Sequence, residues 1–150
     1  MPLNREFVAK LLADIAEAMW AAKRLVERGF EELDLYQRLA LRYLVVELVE
    51  AAAAACVHIL REVFGVEVEG YPSCFLRMAR LGVLPEALAE RLAAAARLRN
   101  LLVHRYWVVD DRRVYEAVKR GLVDFEEFVE RVRGLLEGEA GEEAEEAGGG

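Results

Sequence analysis

The run LVVELVEAAAAACVHIL, residues 44–60, is apolar on nearly every side of a helix and is interrupted only by Glu47, Glu50 and His58. A helix that is hydrophobic all round has neighbours on more than one face. The alanines at 51–55 let such neighbours approach closely. The two carboxylates and the histidine argue against a membrane span, which needs an uninterrupted apolar stretch. The segment therefore reads as a helix of an all-α bundle, buried on two faces or at a subunit interface, opened at Asp34 and closed by Gly65 after Phe64.

Helical periodicity continues on both sides. Towards the N-terminus, Asn4 is positioned to cap a helix whose apolar face runs Phe7, Leu11, Ile15, Met19, Leu25 and Val26, ending at Gly29. Towards the C-terminus, the loop VEVEGYPS alternates too briefly for a strand, and Pro72-Ser73 predicts a turn and cap for a short helix from about Cys74 to Leu81, stopped by Gly82. Pro85 then opens a long helix through Leu88, Leu92, Ala95 and Leu102. Asp110 or Asp111 predicts the start of a fifth helix to Arg120, and Asp124 that of a sixth, with Phe125, Phe128, Val132 and Leu135 on one face. The expectation is an all-α antiparallel bundle of five to six helices, with a short helix before the long one that ends near His104. Residues 1–136 form one domain, and the Glu- and Gly-rich segment 137–150 reads as a disordered tail.

Composition narrows the chemistry. At 150 residues, 55% hydrophobic and 31% charged, the chain suits a single domain with a filled core. Cys56 and Cys74 are its only cysteines, so neither a disulfide scaffold nor a zinc ribbon is expected, and Cys56 reads as a small core residue. Thr is absent and Ser73 is the sole serine, which leaves little for hydroxyl-nucleophile catalysis. His58 and Glu62 stand one turn apart but lack a third ligand, so His58 reads as buried and no metal or cofactor site is expected. The start MPLNREF does not resemble a signal peptide, and a cytoplasmic location is the simplest expectation.

The chemistry-bearing segment is RLRNLLVHRYWVVDD, residues 97–111. It gathers Arg99, Asn100, His104, Tyr106 and Trp107 at the end of an otherwise apolar helix. On an ideal helix Asn100 and His104 lie about 40° apart, whereas Arg99 and His104 lie about 140° apart. Convergence of Arg99 with His104 needs either a two-fold pairing of helices or a break near His104. One His and one Arg suffice for metal-free RNA cleavage, because the 2′-hydroxyl of RNA is the nucleophile. The imidazole moves the proton, and the guanidinium holds the charged pentacoordinate phosphate. The same two residues near a helix C-terminus also simply complement its dipole. Tyr36, Tyr43, Tyr71 and Tyr115 read as packing residues, and Arg38 and Arg42 as a solvated stripe, with a contribution to an RNA-facing rim as the alternative.

RNLLVHRYW, preceded by Ser73, Phe75, Leu76 and Leu81-Gly82 and followed by VDDRRVYEAV, resembles the HepT family of the HEPN superfamily. The family pattern Arg-x4-His-x-Tyr, with a polar residue after the Arg, stands intact as Arg99, Asn100, His104 and Tyr106. The resemblance implies the toxin of a type VII toxin–antitoxin pair, an endoribonuclease working as a homodimer whose motif helices share a cleft. In that reading Arg99 and His104 carry the reaction and Asn100 supports them. The implied partner is an MntA-type nucleotidyltransferase antitoxin that adds AMP to Tyr106, bringing negative charge into a phosphate-binding cleft. The alternative is a non-catalytic helical dimer that binds and positions a nucleotidyltransferase or a nucleotide.

The net charge of -7 does not oppose an RNA substrate. Residues 137–150 hold six glutamates and no base, so the rest of the chain is near neutral, with 21 acids against 20 bases. Between Arg91 and Arg113 six arginines face two aspartates. The acidic tail is thereby expected to compete weakly for a basic cleft.

Overall fold

A computed structural model describes residues 3–148, and of residues 140–147 the backbone alone. It contains five α-helices and two short 3-10 turns, and no strand among the described residues. The helices are α1 (Arg5–Val26), α2 (Leu35–Phe64), α3 (Tyr71–Arg80), α4 (Glu86–His104) and α5 (Asp111–Gly148). The 3-10 turns are Phe30–Glu32 and Tyr106–Val108.

α2 is the hub and packs against every other helix. Asp34 and Gln37 form a reciprocal capping box, with the Asp34 carboxylate accepting from the Gln37 N–H at 2.8 Å and the Gln37 amide oxygen accepting from the Asp34 N–H at 3.0 Å. The helix ends at Gly65, whose φ of 65° is cheap only without a Cβ, and the Val66 N–H returns to the Leu60 carbonyl at 2.9 Å. Ala51, Ala52, Ala53 and Ala55 are all buried, as expected of close helix approach. α2 is long and apolar enough by composition to cross a membrane, but 67% of its most apolar window is buried inside the protein, which fits a core helix.

Side-chain ties fix the helix directions. Near the start of α1, the Asn4 N–H donates to His58 Nε2 at 3.0 Å, late in α2, so these helices run antiparallel. The Arg5 guanidinium donates to the Leu136 carbonyl at 2.8 Å, and at the other end Tyr115 Oη donates to the Arg28 carbonyl at 2.6 Å, so α1 and α5 are also antiparallel. His58 is buried with a partner, as the sequence suggested, and meets the Phe7 ring edge-on at 5.2 Å.

The buried stripe of α1 is Val8, Leu12, Ile15, Ala18, Ala22 and Val26, rotated from the expected face, while Phe7 is exposed. Small residues at 18 and 22 let neighbouring helices approach where larger side chains would hold them off. α3 begins at Tyr71 with Pro72 in its first turn, so Ser73 lies inside the helix and Gly70 takes the cap position. Cys74, Phe75 and Met78 seal α3 against the core, and Phe75 meets Phe128 of α5 edge-on at 5.9 Å. Cys56 and Cys74 are free and buried; burial, then the neighbouring Cys74, pushes the Cys56 thiol up.

The expected fifth and sixth helices are one. Asp110 caps α5 by accepting from the Arg113 N–H at 2.7 Å, and the helix passes through Gly121 without a break. Asp124 is not a cap; it is buried and accepts from Arg91 Nε of α4 at 2.8 Å. The backbone also stays helical past Leu136 into the segment expected to be a disordered tail, of which residues 149–150 lie outside the described residues. Glu and Ala are strong helix formers, and extending an existing helix avoids the cost of nucleation.

Candidate active site

α4 is amphipathic until its last turns, where it buries Leu98 and Leu102 and places Arg99 and Asn100 between its packed and open faces. The Arg99 side chain is 17% exposed and is gripped from three elements. On its own helix, the Asn100 amide oxygen accepts from Arg99 Nη1 at 2.9 Å. From α2, the Glu50 carboxylate pairs with Arg99 Nη2. From α3, the Tyr71 ring lies beneath the guanidinium, 5.0 Å from its centre, and Tyr71 Oη donates to the other Glu50 oxygen at 2.7 Å. Arg99 Nε is buried with no hydrogen-bond partner. Burial, then the bond to Glu50 and its charge, pushes the Tyr71 hydroxyl above the ordinary tyrosine range and keeps it a neutral donor.

His104 is the last residue of α4 and is exposed. Arg105 leaves helical geometry at φ −141° and ψ 48°, and the chain turns through Tyr106–Val108. The break therefore falls directly after His104. Among the described residues no hydrogen bond or ion pair joins Arg99 to His104. The structure thus brings Arg99 and Asn100 together and leaves His104 and Tyr106 on the open end of the bundle.

The turn carrying Tyr106 is held by Arg42. Its Nε donates to the Asp111 carboxylate at 2.6 Å, Nη1 to the Tyr106 carbonyl at 3.2 Å and Nη2 to the Val109 carbonyl at 2.6 Å. The solvated stripe expected of Arg38 and Arg42 is absent; Arg38 donates from Nε to the Leu33 carbonyl at 3.1 Å and lies over the Phe30 ring. The reason is the same for both arginines, since irregular backbone beside a helix leaves carbonyls without donors and a guanidinium reaches several at once.

An apolar surface flanks this end of the bundle. Tyr36 is 79% exposed, Tyr43 65%, Tyr106 63% and Trp107 68%, with Leu35, Leu39, Val103 and Val108 also open. Tyr36 and Tyr43 are therefore not packed, contrary to the expectation, whereas Tyr115 is. Leu39, Leu102, Tyr106 and Trp107 line a hollow of about 460 Å³ walled by Arg42 and Asp111. A second groove, between α4 and α5, is lined by none of Arg99, Asn100, His104 or Tyr106. Among the described residues no cluster of three or more His, Cys, Asp or Glu is placed to hold a metal ion.

Glu50, Tyr71 and Arg42 were missed in the sequence. For Glu50 a signal existed, because a carboxylate in the middle of an apolar helix needs a cationic or hydrogen-bonding partner. Nothing local announced Tyr71 or Arg42, whose partners lie in distant elements.

The sequence model of the family described as Ribonuclease HepT-like matches residues 11–132. A candidate RNase of Archaeoglobus fulgidus is 30% identical over 135 residues, covering 90% of this chain and 97% of the relative. Among solved structures, a tri-AMPylated HEPN toxin of Shewanella oneidensis in complex with an MNT antitoxin superposes with a TM-score of 0.80 at 20% identity, over 87% of this chain and 99% of that one. The cytosolic Bacillus subtilis protein YutE, of unknown function, gives 0.81 at 19% identity, over 93% of this chain and 95% of that one. At such identities the two structures are similar to this chain in fold.

Proposed function

The chain belongs to the HepT-like ribonuclease family, and from that premise we propose that it is the toxin of a type VII toxin–antitoxin pair, a metal-independent endoribonuclease whose cleft is shared by two copies. The observation that carries this reading is the placement of Arg99, Asn100 and His104 on the last turns of α4, beside an unpartnered apolar surface. A patch of open aromatic and aliphatic side chains of this kind marks an interface. A two-fold axis there sets two α4 ends against each other. His104 of one copy then meets Arg99 of the other, which answers the 140° separation that the helix imposes on them within one chain.

In the shared cleft, the RNA 2′-hydroxyl attacks the adjacent phosphorus, forming a P–O bond as the P–O bond to the 5′-oxygen breaks. His104 accepts the hydroxyl proton or delivers one to the departing oxygen. Arg99 donates to the phosphoryl oxygens as negative charge accumulates, and Asn100 holds the guanidinium in position. The products carry a 2′,3′-cyclic phosphate and a 5′-hydroxyl. Residues 1–136 make up the catalytic domain, with the acidic segment 137–150 as an appendage. The proposed location is the cytoplasm, where an MntA-type nucleotidyltransferase modifies Tyr106. Tyr106 is exposed in the single chain, and an adenylate there sets negative charge beside the phosphate-binding residues.

The test is cleavage of RNA by the purified chain with EDTA present and mass analysis of the ends. Cyclic phosphate termini that vanish in His104→Ala support the assignment; full activity in that variant contradicts it. The Arg99–Glu50 ion pair is the specific observation favouring a second reading, in which the helical dimer is non-catalytic and positions a nucleotidyltransferase or a nucleotide. An inactive dimer that binds the nucleotidyltransferase tightly selects that reading.

A further inference from the structure

A guanidinium that must grip a phosphate has five N–H donors to distribute. In Arg99, Asn100 takes one from Nη1 and Glu50 takes one from Nη2, while Nε is buried. One N–H therefore remains on each terminal nitrogen, the pair that a phosphate accepts in bidentate fashion. The side chain is long and flexible, and only its contacts choose which way that pair faces. Two of those contacts come from outside α4, from Glu50 on α2 and from the Tyr71 ring on α3. These two are themselves joined by the Tyr71 Oη to Glu50 hydrogen bond of 2.7 Å.

We propose that Glu50 is a positioning residue for the ribonuclease reaction, fixing the Arg99 guanidinium so that its two remaining N–H groups face the scissile phosphate, with Tyr71 fixing Glu50 in turn. The proposal rests on the ribonuclease reading given above. Glu50 does not touch the RNA. Its two carboxylate oxygens accept from Arg99 and Tyr71, and the guanidinium balances its charge. It also gives a reason for a carboxylate in the middle of the apolar helix α2, where packing alone calls for an alanine or leucine. The ion pair that favours a non-catalytic dimer is, on this account, the brace of the catalytic arginine.

Misplacing a catalytic group by about 1 Å costs up to about 100-fold in rate while leaving substrate binding largely intact. Glu50→Ala is expected to lower kcat by about 30-fold with KM within about 3-fold of the native value. Glu50→Gln keeps an oxygen acceptor for Arg99 and is expected to recover most of that loss. Tyr71→Phe keeps the ring under the guanidinium and removes only the hydroxyl, and is expected to lower kcat by about 5-fold. In an Arg99→Ala background, Glu50→Ala should change the residual rate no further. The measurements are kcat and KM on a ribo-oligonucleotide with the full-length chain, each variant checked for native helicity by circular dichroism. Should Glu50→Ala not fold, Tyr71→Phe carries the test. Native kcat in folded Glu50→Ala, or in Tyr71→Phe where Glu50→Ala does not fold, overturns the positioning role while leaving the ribonuclease reading standing. A native chain that cleaves no RNA overturns both.

Discussion

Arg42 offers the sharpest test of how the open end of the bundle is built. Replacing it with alanine removes three donors at once, to Asp111, to the Tyr106 carbonyl and to the Val109 carbonyl, at distances from 2.6 to 3.2 Å. The Arg42 and Asp111 side chains are 20% and 29% exposed, so neither loses water entirely and the Coulombic gain is partly screened. Hydrogen bonds to a charged group contribute about 1.5–3 kcal/mol each when well buried. With this exposure, and with water able to reach the freed carbonyls, a total of about 2–3 kcal/mol is expected for the three together. In a chain of 150 residues that corresponds to a fall in Tm of roughly 5–10 °C. Arg42→Lys presents a point charge that cannot serve all three acceptors and should retain less than about half of the stabilisation. Urea denaturation gives the free energy, and amide exchange should accelerate first at residues 105–109, where the turn loses its anchor. A loss below about 0.5 kcal/mol with an unchanged denaturant slope, and unaltered exchange in the turn, would mean that Arg42 does not anchor it.

Phe75→Ala should cost about 3–5 kcal/mol by urea denaturation, because the ring is wholly buried against Phe128 and its removal leaves a cavity between α3 and α5. Burial, then the carboxylates of Glu17 and Asp14, pushes the Glu47 carboxyl above the usual carboxylate range. With the folded pKa above the unfolded one, stability is fullest below the unfolded pKa and declines as pH rises through the folded value. Glu47→Gln should therefore stabilise at neutral pH, by less than about 1 kcal/mol at this screened position, and the gain should vanish in unfolding measurements taken below the carboxylate range. Co-expression with a nucleotidyltransferase partner should place AMP on Tyr106 by mass spectrometry; adducts confined to the equally open Tyr36 or Tyr43 contradict that assignment.

The fold was legible where a residue's role is set by its own helix. Asn4 accepts from the Phe7 N–H at 3.0 Å as the cap it promised to be, and the all-round apolar run in α2 belongs to a helix buried on more than one face. Legibility failed where a competing local role was available. Asp124 has the chemistry of a cap, but Arg91 on another helix claims it, and α5 runs through. Of the candidate site, Arg99, Asn100 and His104 stood out because they are close in sequence and unusual in an apolar helix. Glu50 and Tyr71 became meaningful only when folding set α2 and α3 beside Arg99, from 49 and 28 positions away.

Mixing Arg99→Ala with His104→Ala shows whether two copies build one cleft. Each variant alone lacks one member of every Arg–His pair. Refolded together and assayed on RNA with EDTA present, they should regain on the order of a quarter of the native rate, since about half of the dimers are mixed and each holds one complete pair. A mixture as inactive as either variant alone, with mixed dimers present by native mass spectrometry, would contradict the shared cleft.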